Sequence, residues 1–253
     1  MLFRSATPQE SGKPVKVVSD ADIKTNTTFK ADTIYTLNGF VFVESGEVLT
    51  IEAGTVVKGK PGQGTSASAL IVARGGKLYA RGSSSKPIIF TAEADDVDST
   101  TDIQSGTRGL WGGVILLGNA RINNAGGVAN IEGIPTTETR GQFGGVNDHD
   151  NSGVMQYVSI RYGGTNIGAA NEINGLTMGG VGDGTTIDHI EVVHNADDGF
   201  EWFGRTVNTK YLISAFNDDD SFDYDTGWRG KNQFWLSIPG EVGKRAAEMD
   251  GAD

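Results

Sequence analysis

Cysteine is absent from the 253 residues. That removes disulfide scaffolds, thiol catalysis and cysteine-based zinc sites. Basic residues are outnumbered, 21 Lys+Arg against 32 Asp+Glu, for a net charge of −11. Nucleic-acid and anionic-membrane binding need basic patches, so both are excluded as expected partners. No apolar run approaches the ~18 residues of a membrane span. The stretch Met1 to Pro14 carries no apolar core of a signal peptide. A sustained helical period is also missing; the nearest candidate, Glu241–Asp250, is short and polar. The three histidines, His149, His189 and His194, show no H-x-x-x-H or HExxH spacing, and no G-x-S-x-G elbow is present. The glycine-rich run Gly179–Gly184 lacks the Lys-Ser/Thr and following helix of a phosphate loop.

Glycine is plentiful, 37 of 253, roughly twice its average usage. It punctuates short β-rich runs, among them Thr33–Leu37, Val48–Ile51, Ala69–Ala73, Pro87–Thr91, Gly113–Leu117, Met155–Arg161, Ile187–His194 and Tyr211–Phe216. Short strands with frequent turns indicate an all-β chain.

Internal repeats refine this. The segment from Phe42 to Ile51 overlays Ile71–Ala80, with Gly46 on Gly75 and Leu49 on Leu78. A sharper, gapless match places His194–Trp202 (HNADDGFEW) over Phe216–Tyr224 (FNDDDSFDY), an offset of 217 − 195 = 22 residues. A weaker third copy sets Gly175–Met178 in the place of Gly199–Trp202. A unit of this length cannot bury its apolar side alone, but stacked coils make one continuous core. The expected fold is therefore an all-β, right-handed parallel β-helix, a solenoid of about ten coils. One domain spans 1–253: a cap at 1–31, coils over 32–238, and a tail at 239–253. Polar stretches at 92–109, 135–153 and 163–174 break the rhythm and are expected to project as loops.

Three glycine-bounded segments, Gly46–Gly59, Gly76–Thr91 and Gly109–Ala120, resemble bacterial secreted or lipid-anchored right-handed β-helix surface proteins, as do Asn195–Gly204 and Asn217–Gly227. The likeness covers roughly Asp32 to Trp235. It implies the fold and an extracellular or cell-surface location, and carries no agreed activity with it.

The acids of the 22-residue repeat are the chemical feature. Stacking puts Asp197 over Asp219, Asp198 over Asp220, and Glu201 over Asp223, with Asp218 and Asp225 added in the second coil. Carboxylates ~5 Å apart repel by about 3 kcal/mol at an effective dielectric of ~20. A shared proton or a bound cation relieves this, and grouped oxygen ligands suit Ca²⁺. Asn-Asp-Asp runs also close turns by side-chain-to-backbone bonds, with water screening the charge. Asn195 and Asn217 fit that role as a ladder. The run Asp148-His-Asp150-Asn-Ser-Gly153 opens like a calcium loop, but its twelfth position is Ser159 rather than Glu. The candidate cation ligands are thus Asp197, Asp198, Glu201, Asp218, Asp219, Asp220, Asp223, Asp148 and Asp150.

An enzyme reading uses the same acids. Polygalacturonases of the β-helix type carry Asn-x-Asp and Asp-Asp, which Asn195-Ala-Asp197 and Asp219-Asp220 resemble, but their Gly-His-Gly and Arg-x-Lys are missing here. Asp220 and Asp223 are the candidate catalytic carboxylates of a glycoside hydrolase or Ca²⁺-dependent lyase. Arg205, Lys210, Arg229 and Lys231 are the nearby bases. Phe200, Trp202, Phe222 and Tyr224 form either core or a sugar platform. Two expectations stand side by side: a structural or interaction protein of the cell surface, adhesin-like, stacking end to end on itself or meeting a glycan; and a polysaccharide lyase or hydrolase. An open groove with exposed carboxylates beside a base favours the second.

Overall fold

The computed structural model describes residues 9–168 and 171–250, and of Gly168, Asn171 and Arg205 only the backbone. Residues 1–8 of the expected cap, 169–170 of the third loop and 251–253 of the tail lie outside the described residues.

The chain is a right-handed parallel β-helix built of two long sheets. In the first, eight strands follow one path: Val15–Val18, Ile34–Leu37, Val56–Gly59, Ile88–Ala92, Gly153–Arg161, Thr186–Val193, Asn208–Ala215 and Asn232–Ile238. Asn26–Phe29, Val48–Ile51 and Lys77–Arg81 stack as a branch that joins the same sheet at Gly153–Arg161. In the second sheet the order is Phe40–Val43, Ala69–Val72, Val114–Leu117, Leu176–Val181, Phe200–Arg205, Phe222–Asp225 and Glu248–Met249. Among the described residues the longest path has eight strands, fewer than the ten expected coils. The difference arises because residues 118–152, partly read as coil, leave the stack.

The repeat registers hold. Leu49 pairs with Leu78, Leu176 with Phe200, and Phe200, Glu201 and Trp202 pair with Phe222, Asp223 and Tyr224. Alternation then decides what is inside. Phe200, Trp202 and Phe222 point into the lumen and are buried, with the Phe200 and Phe222 rings 5.5 Å apart. They are core, not a sugar platform. Asn195 is fully buried; its Nδ2 donates to the Asp198 carbonyl at 2.9 Å, and its own N–H donates to Asn217 Oδ1 at 2.7 Å. The two Asn side chains close consecutive turns.

The long strands of the first sheet bend at a corner that the sequence reading passed straight through. Tyr157, His189, Tyr211 and Phe234 have φ of 51°, 53°, 55° and 64°. This left-handed region disfavours such residues. The rings stack along the axis at 4.3, 4.4 and 4.9 Å, which offsets the backbone cost. A second corner repeats the device with Tyr162, His194 and Phe216.

The largest excursion packs down on the coil. Residues 118–152 cover the outer face of the second sheet, where Ile122, Ile131, Ile134 and Phe143 meet Phe42, Ile71, Ile115 and Leu117. Arg140 pins this segment through Asp20, Glu44 and Glu138, and lies 3.9 Å over the Phe42 ring. The nearest helical candidate, Glu241–Asp250, is not helical. Glu248–Met249 adds a strand instead, because Glu248 falls in register with Asp223.

Phe200→Ala should cost about 3–5 kcal/mol in urea unfolding, through lost burial and a cavity. Phe234→Ala, at an exposed corner, should cost under ~1 kcal/mol. Equal effects would contradict the lumen assignment.

Candidate functional site

One outward position of the second sheet runs along the molecule as a row. Phe42, Ile71, Ile115, Thr177, Glu201, Asp223 and Glu248 are successive register partners. The row is apolar from Phe42 to Ile115 and becomes acidic from Glu201 towards the C-terminal coils. Asp197 and Asp198 lie in the turn leading into Phe200–Arg205, and Asp219 and Asp220 in the turn leading into Phe222–Asp225. Turn and strand acids therefore meet at one end of the sheet.

Two triads of carboxylates result, Asp197–Asp198–Asp219 and Asp198–Glu201–Asp223, each with oxygens within 4.8 Å of one another. Asp198 belongs to both. It is 7% exposed and Glu201 is 5% exposed. Asn174 Nδ2 donates to Glu201 Oε2, and the Asp220 N–H donates to Asp198 Oδ1 at 2.8 Å. Asp223 Oδ1 is buried without a hydrogen-bond partner.

Burial, with neighbouring charge second, disfavours ionisation throughout. It pushes Asp197 up to about 7, reinforced by Glu132, Asp219 and Glu172. Asp198 rises to about 9, with Asp197 the largest charge beside it, and Asp223 to about 7, with Asp225 and Glu248 adding. Glu201 is pushed well above the ordinary carboxylate range by burial and then by Asp198. Glu132 and Glu172 come from the two excursions. No sequence pattern points to them, because their neighbours in space are remote in the chain.

Other anticipated ligands stand elsewhere. Asp220 is 1% exposed and accepts the Arg245 N–H at 2.6 Å, so it is held by the C-terminal segment. Asp218 pairs with Arg108 Nε at 2.8 Å. Asp148 and Asp150 sit at the opposite end of the sheet's strands. Asp148 pairs with Arg121 at 2.6 Å, and Asp150 accepts from Asn119 at 3.1 Å and Ser152 at 3.3 Å. Among the described residues neither joins a group of three ligands. Their calcium-loop rhythm is met by these protein partners.

Of the bases, Lys210 lies over the Tyr211 and Phe234 rings on the other sheet, at 5.2 and 5.4 Å, and Lys231 lines a groove beside it. Arg229 is exposed, and the Arg205 side chain lies outside the described residues. Lys244 is paired to Asp219, and Arg245 to Glu248 at 2.6 Å.

A pectate-lyase-like β-helix domain model matches residues 21–253. The chain belongs to that family. No curated protein matches it, and no solved structure does. Among the described residues no helix is long and apolar enough to cross a membrane.

Within this pectate-lyase-like domain the residues present fit a divalent cation. Ca²⁺ takes oxygen ligands at ~2.3–2.6 Å, so oxygens spaced up to about twice that can share one ion. Either triad, Asp197–Asp198–Asp219 or Asp198–Glu201–Asp223, would hold it, and in the second the orphan Asp223 Oδ1 would gain a partner. A bound cation supplies positive charge that lets these acids ionise inside the fold.

Without a cation, the raised carboxyls bind more protons folded than unfolded above about pH 4. Stability should therefore fall as pH rises from about 5 to 9, the window set by the values near 7 and 9. Thermal melts in chelator should show the decline. Glu201→Gln should raise Tm at pH 8 in chelator by several degrees, since it removes a carboxyl that must either take up a proton or bury a charge on folding, and keeps an acceptor for Asn174. A flat pH profile with no gain from Glu201→Gln would refute the reading.

Proposed function

We propose that this chain is a non-catalytic scaffold or interaction β-helix of the cell exterior, whose acidic cluster holds a structural Ca²⁺-class cation. The observation that carries the reading is the burial of Asp198 and Glu201, at 7% and 5% exposure, beneath segments inserted from elsewhere in the chain. Space of that kind suits an ion and is closed to a polysaccharide strand. A lyase or hydrolase needs carboxylates and a base open to a polymer. Among the described residues the cations nearest the acids are already tied, Arg108 to Asp218, Lys244 to Asp219 and Arg245 to Asp220 and Glu248. On this reading a cell-surface glycan or a second copy of the chain meets the outer faces. Tyr211, Phe234 and Leu236 at one end of the first sheet, and Val15 and Val17 at the other, are exposed apolar side chains.

Two measurements separate the classes. Ca²⁺ should raise Tm, by the mass-action stabilisation of any ligand that binds only the folded state. Asp198→Asn, which belongs to both triads, should reduce that response by at least half while leaving the far-UV spectrum unchanged. An identical melt in Ca²⁺ and in chelator sinks the cation site. Wild-type protein should leave acidic and neutral polysaccharides uncut with or without Ca²⁺. Cleavage that Asp223→Asn or Asp220→Asn abolishes would instead establish the enzyme reading.

A further inference from the structure

Apolar exposure concentrates at the two ends of the solenoid. Among the described residues ten large hydrophobic side chains are exposed. Six of them, Val15, Val17, Phe234, Leu236, Val242 and Met249, lie on the first or the last coil. Val15–Val18 and Asn232–Ile238 are also the terminal strands of the first sheet. Among the described residues each therefore has one edge of N–H and C=O groups with no strand beside it. Such edges are templates for pairing with another chain.

The register makes the two edges complementary. One outward position of the first sheet runs from Val15 through Ile34, Val56 and Ile89 to Ile213 and Leu236. The next position, which faces the lumen, runs from Lys16 through Tyr35, Val57 and Phe90 to Ser214 and Ser237. A second copy translated along the axis would set its first strand on the last strand of this one, as the next coil. Val15 then meets Leu236, and Val17 meets Ile238 two residues on, on the same face. Val15, Val17 and Leu236 are 63%, 49% and 47% exposed, so the contact removes apolar surface from water. Pro14 comes over Trp235 and has no N–H to leave unpaired. Lys16 falls over Ser237, where the lumen column has turned polar; Ser237 Oγ and Ser221 Oγ are hydrogen-bonded at 2.7 Å. Charge agrees with this pairing. Residues 9–31 carry four lysines against Glu10, Asp20 and Asp22, a net +1, and residues 218–250 carry four bases against eight acids, a net −4.

We infer that the chain associates head to tail with a second copy, the edge of Val15–Val18 pairing in parallel with the edge of Asn232–Ile238. The inference rests on the scaffold reading and adds to it the partner and the face; the cation cluster plays no part. The second sheet contributes little, because its N-terminal edge is already capped: the Phe42 N–H donates to Asp20 Oδ1 at 2.9 Å. One sheet edge makes a small interface, so the association is weak, in the micromolar to millimolar range. The contact is heterologous. It leaves a free edge at each end and propagates.

Sedimentation equilibrium tests it. At low salt the weight-average mass should climb with concentration past the dimer, and added salt should lower it. Leu236→Lys blocks only the last edge and Val17→Lys only the first. Both positions are exposed, so Tm and the far-UV spectrum should stay as in the unaltered chain. Val15→Lys replaces Val17→Lys should that variant lower Tm. Each variant alone should remain monomeric. Mixed in equal amounts they should form a one-to-one dimer and stop there, since each still offers one intact edge. The inference is overturned by a monomer at every concentration, by a dimer of the unaltered chain that grows no further, by association that persists in either variant, or by a mixture that stays monomeric. The scaffold reading fails on other measurements, polysaccharide cleavage or a melt unmoved by Ca²⁺, so the two failures are told apart.

Discussion

Everything in this molecule depends on in-register stacking. A parallel coil sets each residue ~4.8 Å from its counterpart in the next turn, so whatever occupies a position is multiplied along the axis. For apolar and aromatic residues the multiplication is favourable. Phe200 on Phe222, and His189 between Tyr157 and Tyr211, gain area and ring contact at every step. For carboxylates it is unfavourable. Glu201, Asp223 and Glu248 follow one another in a single row, and the preceding turns add Asp197 and Asp198 beside Asp219. The geometry that makes the core makes the electrostatic problem.

Burial sharpens the problem. An outward acid on an open sheet would be screened by water. Here the outer face of the second sheet is roofed by residues 118–152, held by Ile131, Ile134 and Phe143 and clamped by Arg140. The roof also brings Glu132 to the cluster, and the other excursion brings Glu172. Charges from four stretches of chain then share one poorly solvated space. Protonation and cation binding are the two ways to neutralise it. They respond oppositely to pH, since a cation needs the ionised carboxylates that protons remove.

The coil repeat was readable because it is local: Phe200-Glu-Trp over Phe222-Asp-Tyr requires only counting, and the pairing follows it residue for residue. The triads were half readable for the same reason. Asp197, Asp198, Asp219, Glu201 and Asp223 come from stacked turns, whereas Glu132, Glu172 and Asn174 reach them only through tertiary folding. Asp148 and Asp150 show the converse. Their spacing imitates a calcium loop, yet Arg121 and Asn119 occupy the carboxylates, and spacing alone carries no information about such partners. The corners were missed because Tyr157, Tyr211 and Phe234 are good strand formers. Their left-handed backbone is a property of the ladder rather than of any single residue.

Those corners also explain why polar groups at the periphery can be fixed so firmly. A side chain in the left-handed region cannot relax to a neighbouring backbone basin without breaking the stack above and below it. His194 is therefore held between Tyr162 and Phe216. The solenoid thus preorganises donors and acceptors at fixed places on its flanks. The inserted segments, which lie outside the coil register, decide whether each place is covered or open.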